Sequence, residues 1–152
     1  MHRVAPLLIV ALSIGCSRQK IDTSIAGVFD LHSRDGSLLP APMPTVFDGR
    51  ECVNEMLSAA MTIKPNGEWS ESMIVQHRCV GPGAEIIGPK ASEYFGKFKL
   101  IGDNPQRLEL TSDELEDEGN GQVAVIDGNE LRLTFTVGGA MKSHLFVYRR
   151  RA

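Results

Sequence analysis

Leu131-Arg132-Leu133-Thr134-Phe135-Thr136-Val137 alternates apolar and polar side chains at every step. Such a period of two puts Leu131, Leu133, Phe135 and Val137 on one face of an extended strand, with Arg132, Thr134 and Thr136 on the other. Gly138-Gly139 ends the run. Just before it, Gln122 to Ile126 is a short apolar strand, and Asp127-Gly128-Asn129 turns the chain between the two. The local rule is strand, tight turn, strand.

The rule extends outward in both directions. His144 to Tyr148 reads as a last strand. Upstream, Leu108 and Leu110 alternate with Arg107 and Glu109, while Tyr94, Phe98 and Leu100 alternate with Phe95, Lys97 and Lys99. Trp69, Met73 and Val75 share one face, although Glu71 falls on that face too. Leu57, Ala59, Met61 and Ile63 alternate with Ser58, Ala60 and Thr62. Val53 to Met61 also fits a helical stripe and is the best helical competitor. Lys64-Pro65-Asn66-Gly67-Glu68-Trp69 is a strong hairpin signal, with Asn66-Gly67 suited to a two-residue loop. Ile25 to Leu31 is the first strand; Arg34-Asp35-Gly36 turns it and Ser37-Leu38-Leu39 returns briefly. Pro40, Pro42 and Pro44 are expected to stop regular pairing and leave a stiff connection or a lid over one mouth. Val80-Gly81-Pro82-Gly83 and Gly88-Pro89 are expected to break the chain. Eight or nine short strands with regular turns predict an all-β barrel or sandwich in one domain, residues 25–152.

The amino-terminal region follows different rules. Arg3 supplies positive charge, Val4 to Ile14 is an apolar run broken by Pro6 and Ser13, and Gly15 precedes Cys16. The uncharged stretch is shorter than the roughly 20 residues a spanning helix needs. It reads as an export signal. Ser13-Ile14-Gly15-Cys16 resembles the lipobox of bacterial lipoproteins, with Leu12 one place ahead of the commonest lipobox Leu. The resemblance implies cleavage after residue 15 and acylation of Cys16 by diacylglycerol and a fatty acid such as palmitate. Several acyl chains anchor stably where one does not. Residues 16–24 then form a lipidated, polar tether of at most about 26–29 Å beyond the Cys. Ser17 resembles the outer-membrane class, so a cell-envelope location facing the periplasm is expected.

Composition narrows the partners. Without Arg3, 15 basic side chains stand against 19 acidic ones, which disfavours nucleic acid. Arg149-Arg150-Arg151 is a local exception and reads as a solvated end. With Cys16 lipidated, Cys52 and Cys79 remain as a pair in an oxidising compartment. Folding the hairpin about Asn66-Gly67 leaves them two residues out of register, within reach after a bulge. A disulfide is expected; free thiols or a metal pair are the alternatives, and neither Cys has Cys-x-x-Cys spacing.

The folded region resembles the bacterial lipocalin-like lipoproteins. The likeness rests on Ile25-Ala26-Gly27-Val28-Phe29, Leu39-Pro40, the Asn-Gly hairpin with its Cys pair, and a final Tyr148-Arg149. It implies a small antiparallel up-and-down barrel of about eight strands. Where lipocalins carry Gly-x-Trp, this chain has Gly27-Val28-Phe29. By analogy Phe29 closes one barrel end with Arg149 covering its ring. The resemblance also implies binding of a small apolar ligand, with Phe29, Trp69, Tyr94, Phe98 and Phe135 inside the barrel, either filling it or lining a pocket. A non-enzymatic interaction module of the envelope is the alternative; its protein partner is not specified.

Catalysis and cofactors find no support in the sequence. His32, His77 and His144 have no ligand spacing and read as solvated or singly hydrogen-bonded. The acidic run from Asp113 to Glu118 reads as a solvated loop, with weak calcium binding as the lesser reading. No Gly-x-Ser-x-Gly elbow or phosphate loop is present, so no enzyme, metal or cofactor is expected.

Overall fold

The computed structural model describes residues 23–47, 50–81, 86–103, 105–112, 122–136 and 143–152. The signal segment, Cys16 and most of the tether lie outside these residues, as does the acidic run.

Ten strands form one antiparallel sheet: β1 Gly27–Arg34, β2 Ser37–Leu38, β3 Ala41–Phe47, β4 Arg50–Ile63, β5 Glu68–Cys79, β6 Ile86–Asp103, β7 Gln106–Ser112, β8 Gln122–Asp127, β9 Glu130–Thr136 and β10 Ser143–Arg150. Strands β4 to β10 follow one another as an up-and-down meander. β1 closes it, pairing with β10 on one side and with residues 60–63 of β4 on the other. Eight strands therefore make a closed barrel, and β2 and β3 lie outside it. Val53 to Met61, the helical competitor, is strand throughout. Closure removes the exposed edges that an open sheet would present.

The turns carry the expected chemistry with one adjustment. Asp35 and Gly36 both have positive φ, 50° and 83°, as a type I′ hairpin requires. Gly128 holds φ 57° in the first position of the β8–β9 turn. In the β4–β5 hairpin, Gly67 N–H donates to Lys64 O and Lys64 N–H to Glu68 O. The loop is thus Pro65-Asn66 plus Gly67 at φ 87°, a turn with a glycine bulge in place of the two-residue Asn66-Gly67 loop. Pro65 presets φ for the turn's second position, and Gly67 alone accepts the left-handed one without penalty. This shifts the register by one residue. A second bulge between Met56 and Ser58 shifts it by one more, so Cys52 and Cys79 face each other directly. They form the disulfide, with S–S 2.12 Å.

Two expected breaks are not breaks. Ala41–Phe47 pairs regularly with Phe47↔Arg50 through Ala41↔Met56 of β4, despite Pro42 and Pro44. The two prolines sit at alternate positions of an edge strand, where their missing N–H groups fall on the side away from the partner. Gly88-Pro89 lies inside β6, which runs unbroken for 18 residues; the register slips there between Val75 and His77. A Cβ on Gly88 would lie 3.2 Å from Val75 O, so the bulge needs glycine.

The core is the inward face of the barrel. Phe29, Met61, Ile63, Leu108, Leu131 and Tyr148 are among its most buried side chains. They sit toward one end. There Phe29 lies beneath a guanidinium, and tight turns connect the neighbouring strands. The covering cation is Arg150, its Cζ 4.6 Å from the Phe29 ring centroid, and not Arg149. Strand parity decides this: Tyr148 points inward, so Arg150 does too, while Arg149 is exposed. Arg150 Nη1 and Nη2 donate to Ala26 O and Ser24 O at 2.7 and 2.8 Å, tying the incoming chain across the barrel end.

Candidate ligand-binding site

Among the described residues, the opposite end of the barrel is open. Here β7 ends at Ser112, β8 begins at Gln122, and β4, β5 and β6 run on past the barrel wall. A cavity of about 260 Å³ opens in this mouth. Trp69, Met73, Tyr94, Leu133, Phe135 and Phe146 provide its apolar wall. Each comes from the inward parity of its strand, the parity that also builds the core. Inward residues near the closed end are packed to near-zero exposure, whereas Met73, Tyr94 and Phe146 nearer the mouth are only partly buried.

Among the described residues, Glu71, Tyr148, Ser112 and Gln122 add polar groups to the same space. Tyr148 O–H donates to Glu71 Oε1. The two residues belong to β10 and β5, strands that are not neighbours in the sheet. Burial raises the Glu71 carboxyl above its ordinary 4.5, and the Tyr148 hydrogen bond offsets only part of that. Burial, followed by the nearby Glu71 charge and hydrogen bond, pushes the Tyr148 phenol well above its ordinary 10. Both shifts show groups removed from water.

The indole N–H of Trp69 is not available to a ligand. It forks to Lys97 O and Thr111 O, 3.1 Å each. Close approach of these strands requires Gly96, since a Cβ there would fall 1.8 Å from Thr111 O. Trp69 is thereby fixed in the cavity floor.

Of the five aromatic residues assigned to the interior, Trp69, Tyr94 and Phe135 line this cavity. Phe29 and Phe98 belong to the packed core, at 0% and 6% exposure. Glu71 stood out in the sequence as a lone acid on an apolar strand face. Tyr148 and Phe146 carried no separate signal beyond inward parity on β10.

The histidines are placed separately. His144 Nδ1 meets Asp35 Oδ2 at 2.8 Å, next to the β1–β2 turn. His77 Nδ1 meets Asn54 Oδ1, and its Nε2 lies 3.3 Å from Cys79 Sγ. Cys52, His77 and Cys79 cluster within 4.8 Å, but both sulfurs are committed to the disulfide. Lipid attachment at Cys16 concerns a residue outside those described. Family models, curated proteins and solved structures all give no match to the chain.

Proposed function

We propose that this protein is a lipocalin-like binding protein of the cell envelope, held at the membrane by acylated Cys16 and taking a small apolar molecule into the barrel mouth. The observation that carries the reading is the cavity of about 260 Å³ walled by aromatic and aliphatic side chains. Ligand pockets are typically concave, apolar and furnished with a few polar groups. The volume lies just below the roughly 300–1,000 Å³ of typical ligand pockets, so the ligand is small. The protein acts by binding rather than by catalysis.

Trp69 is the single tryptophan of the chain and lines the cavity, so it reports on occupancy. The purified chain carrying Cys16→Ser is expected to change its tryptophan fluorescence saturably on titration with a small aromatic such as ethylbenzene. No saturable change with any small apolar probe would remove the ligand-binding reading. Mass spectrometry of the native product is expected to find acyl chains on Cys16; an unmodified thiol would remove the anchor.

A second reading rests on the strand extension beside the mouth. Residues 86–95 of β6 pair with β5 on one edge only, among the described residues. Ile86, Ile87 and Phe95 are exposed at 63%, 51% and 49%. An exposed strand edge with apolar side chains is suited to strand addition by a protein partner. Mild crosslinking in the native envelope separates the readings. A partner captured through residues 86–95 supports the interaction module.

A further inference from the structure

We propose that the barrel cavity selects small aromatic or aliphatic amines, with the Glu71 carboxylate as the ionic anchor and the surrounding aromatic rings as the cation's walls. The inference rests on the ligand-binding reading and adds the chemical class of the ligand.

Three observations converge. The first is the charge of the lining. Among the described residues Glu71 is the one formally charged side chain lining the cavity, and no Lys, Arg or His lines it. A carboxylate ligand would set a second negative charge beside the first in a low-dielectric site, which is disfavoured. An ammonium group meets an opposite charge there, and such charge-assisted hydrogen bonds are the strong ones.

The second is the hydrogen-bonding state of Glu71. Oε1 accepts from Tyr148, and among the described residues Oε2 accepts from nothing. Tyr148 fixes the carboxylate in place while leaving one oxygen for a ligand donor. Placing a carboxylate in an apolar mouth costs stability unless it is paired, and an incoming ammonium supplies the missing partner.

The third is the ring content. Trp69, Tyr94, Phe135, Phe146 and Tyr148 all line the space around Glu71. Aromatic faces attract cations, tryptophan most strongly. Rings around a single acid are the elements of a cation-recognising box.

A rival anchor lies close by. Arg34 is buried behind Phe146, with its Cζ 5.4 Å from the ring centroid. Among the described residues its Nε has no hydrogen-bond partner, and it lies 3.8 Å from Asp35 Oδ2. Arg34 does not line the cavity, but it would attract a carboxylate if Phe146 turned aside.

The test uses the purified chain with Cys16→Ser, titrated with four probes of nearly equal size: phenethylamine, 2-phenylethanol, phenylacetate and ethylbenzene. Trp69 fluorescence is the readout. At pH 7.5 phenethylamine is expected to bind at least about tenfold tighter than 2-phenylethanol, and phenylacetate weakest. Glu71→Gln keeps the side-chain shape and an acceptor for Tyr148, and is expected to abolish the preference for phenethylamine over 2-phenylethanol.

A pH series on the unchanged Glu71 chain gives the same answer without that variant. The groups facing Glu71 are Met61 from β4, Tyr94 from β6 and Tyr148 from β10, so the carboxyl is the group that titrates there in acid. The amine preference is expected to fade as pH drops through the raised Glu71 pKa. Equal affinity for amine and alcohol, or tightest binding of phenylacetate, overturns the amine assignment and leaves the ligand-binding function standing. Failure of all four probes overturns both.

Discussion

Tyr148 on β10 reaches across the lumen to Glu71 on β5, joining two walls that share no backbone hydrogen bonds. β1 and β4 lie between them on the shorter way round. The bond therefore braces the barrel at the level where the packed core gives way to the cavity. Tyr148→Phe keeps the ring and removes the donor. It leaves a desolvated carboxylate short of a partner, and is expected to cost about 1–3 kcal/mol. Urea unfolding at neutral pH, followed by Trp69 fluorescence, measures this. An unchanged midpoint would show that water replaces the phenol.

The raised Glu71 pKa sets the sign of a pH effect. In the folded protein this carboxyl holds its proton to higher pH than in the unfolded chain. Its contribution to stability is fully present below the unfolded value and is lost as pH rises through the folded one. Glu71→Gln cannot ionise. The difference in stability between the variant and the parent is therefore expected to grow in the variant's favour as pH climbs above about 4.5. Paired urea melts between pH 4 and 7 test the slope. A difference that shrinks with pH would mean that the site stabilises the carboxylate, with the Tyr148 hydrogen bond outweighing burial, contrary to the direction found.

Arg150 and Arg149 are adjacent in sequence and opposite in consequence. Arg150 covers Phe29 and satisfies two carbonyls at the barrel end. Arg149 is exposed. Arg150→Ala is expected to destabilise by about 2–3 kcal/mol, combining lost charged hydrogen bonds with a lost cation–π contact. Arg149→Ala is expected to stay within about 0.5 kcal/mol. Gly27→Ala should resemble a mild form of the first, because its Cβ would sit 2.6 Å from Arg150 Nη1 and push it aside. Equal effects of the two arginine variants would refute the parity argument.

The alternation that begins at Leu131 made the fold legible. Period two on β4 to β10, with turns at Asp35-Gly36 and Gly128-Asn129, points to short antiparallel strands in a barrel or sandwich; the choice of a closed barrel comes from the resemblance, and the β1 pairings with β10 and β4 supply the closure. The resemblance points to Arg149 as the covering residue, whereas the inward parity of Tyr148 in the structure gives Arg150. What alternation does not encode is how far opposite walls stand apart. Phe29 and Phe98 lie in the packed core, whereas Trp69, Tyr94 and Phe135 line the cavity, and nothing in local pattern separates the two sets. Pro42 and Pro44 were opaque for another reason. Their cost depends on which edge of the strand is paired, a fact of the tertiary structure. The Glu71–Tyr148 pair joins residues 77 positions apart, so only the acid, lone among apolar neighbours, was visible.

The disulfide lies at the far end of the β4–β5 hairpin from its turn, in the part that extends past the barrel. A cross-link closing a loop of this length contributes up to about 3–4 kcal/mol by the chain-entropy model. Because the bond sits outside the closed barrel, its removal acts locally. Replacing both Cys52 and Cys79 by Ser is expected to raise amide exchange in β3 and in residues 52–56 and 75–79, with protection retained at 59–63, 108–110 and 131–133. Loss of protection throughout would show that the extension and the barrel unfold as one unit.

Gly96 is the position on which the cavity floor depends. It faces Ser112 where β6 passes from pairing with β5 alone to pairing with β7 as well. A Cβ there would overlap Thr111 O at 1.8 Å and crowd Trp69 Nε1 at 2.9 Å. Backbone cannot yield as a side-chain tip can, so β6 and β7 would have to part. The Trp69 fork to Lys97 O and Thr111 O would then open and leave the indole N–H unpaired. Overpacking and a lost buried hydrogen bond together predict a cost of at least about 3 kcal/mol for Gly96→Ala. The indole also loses its fixed seat, so its emission should shift to the red and any ligand response of Trp69 should fall in the same variant. Near-normal stability with a normal emission maximum would mean that the strands do not approach so closely in solution.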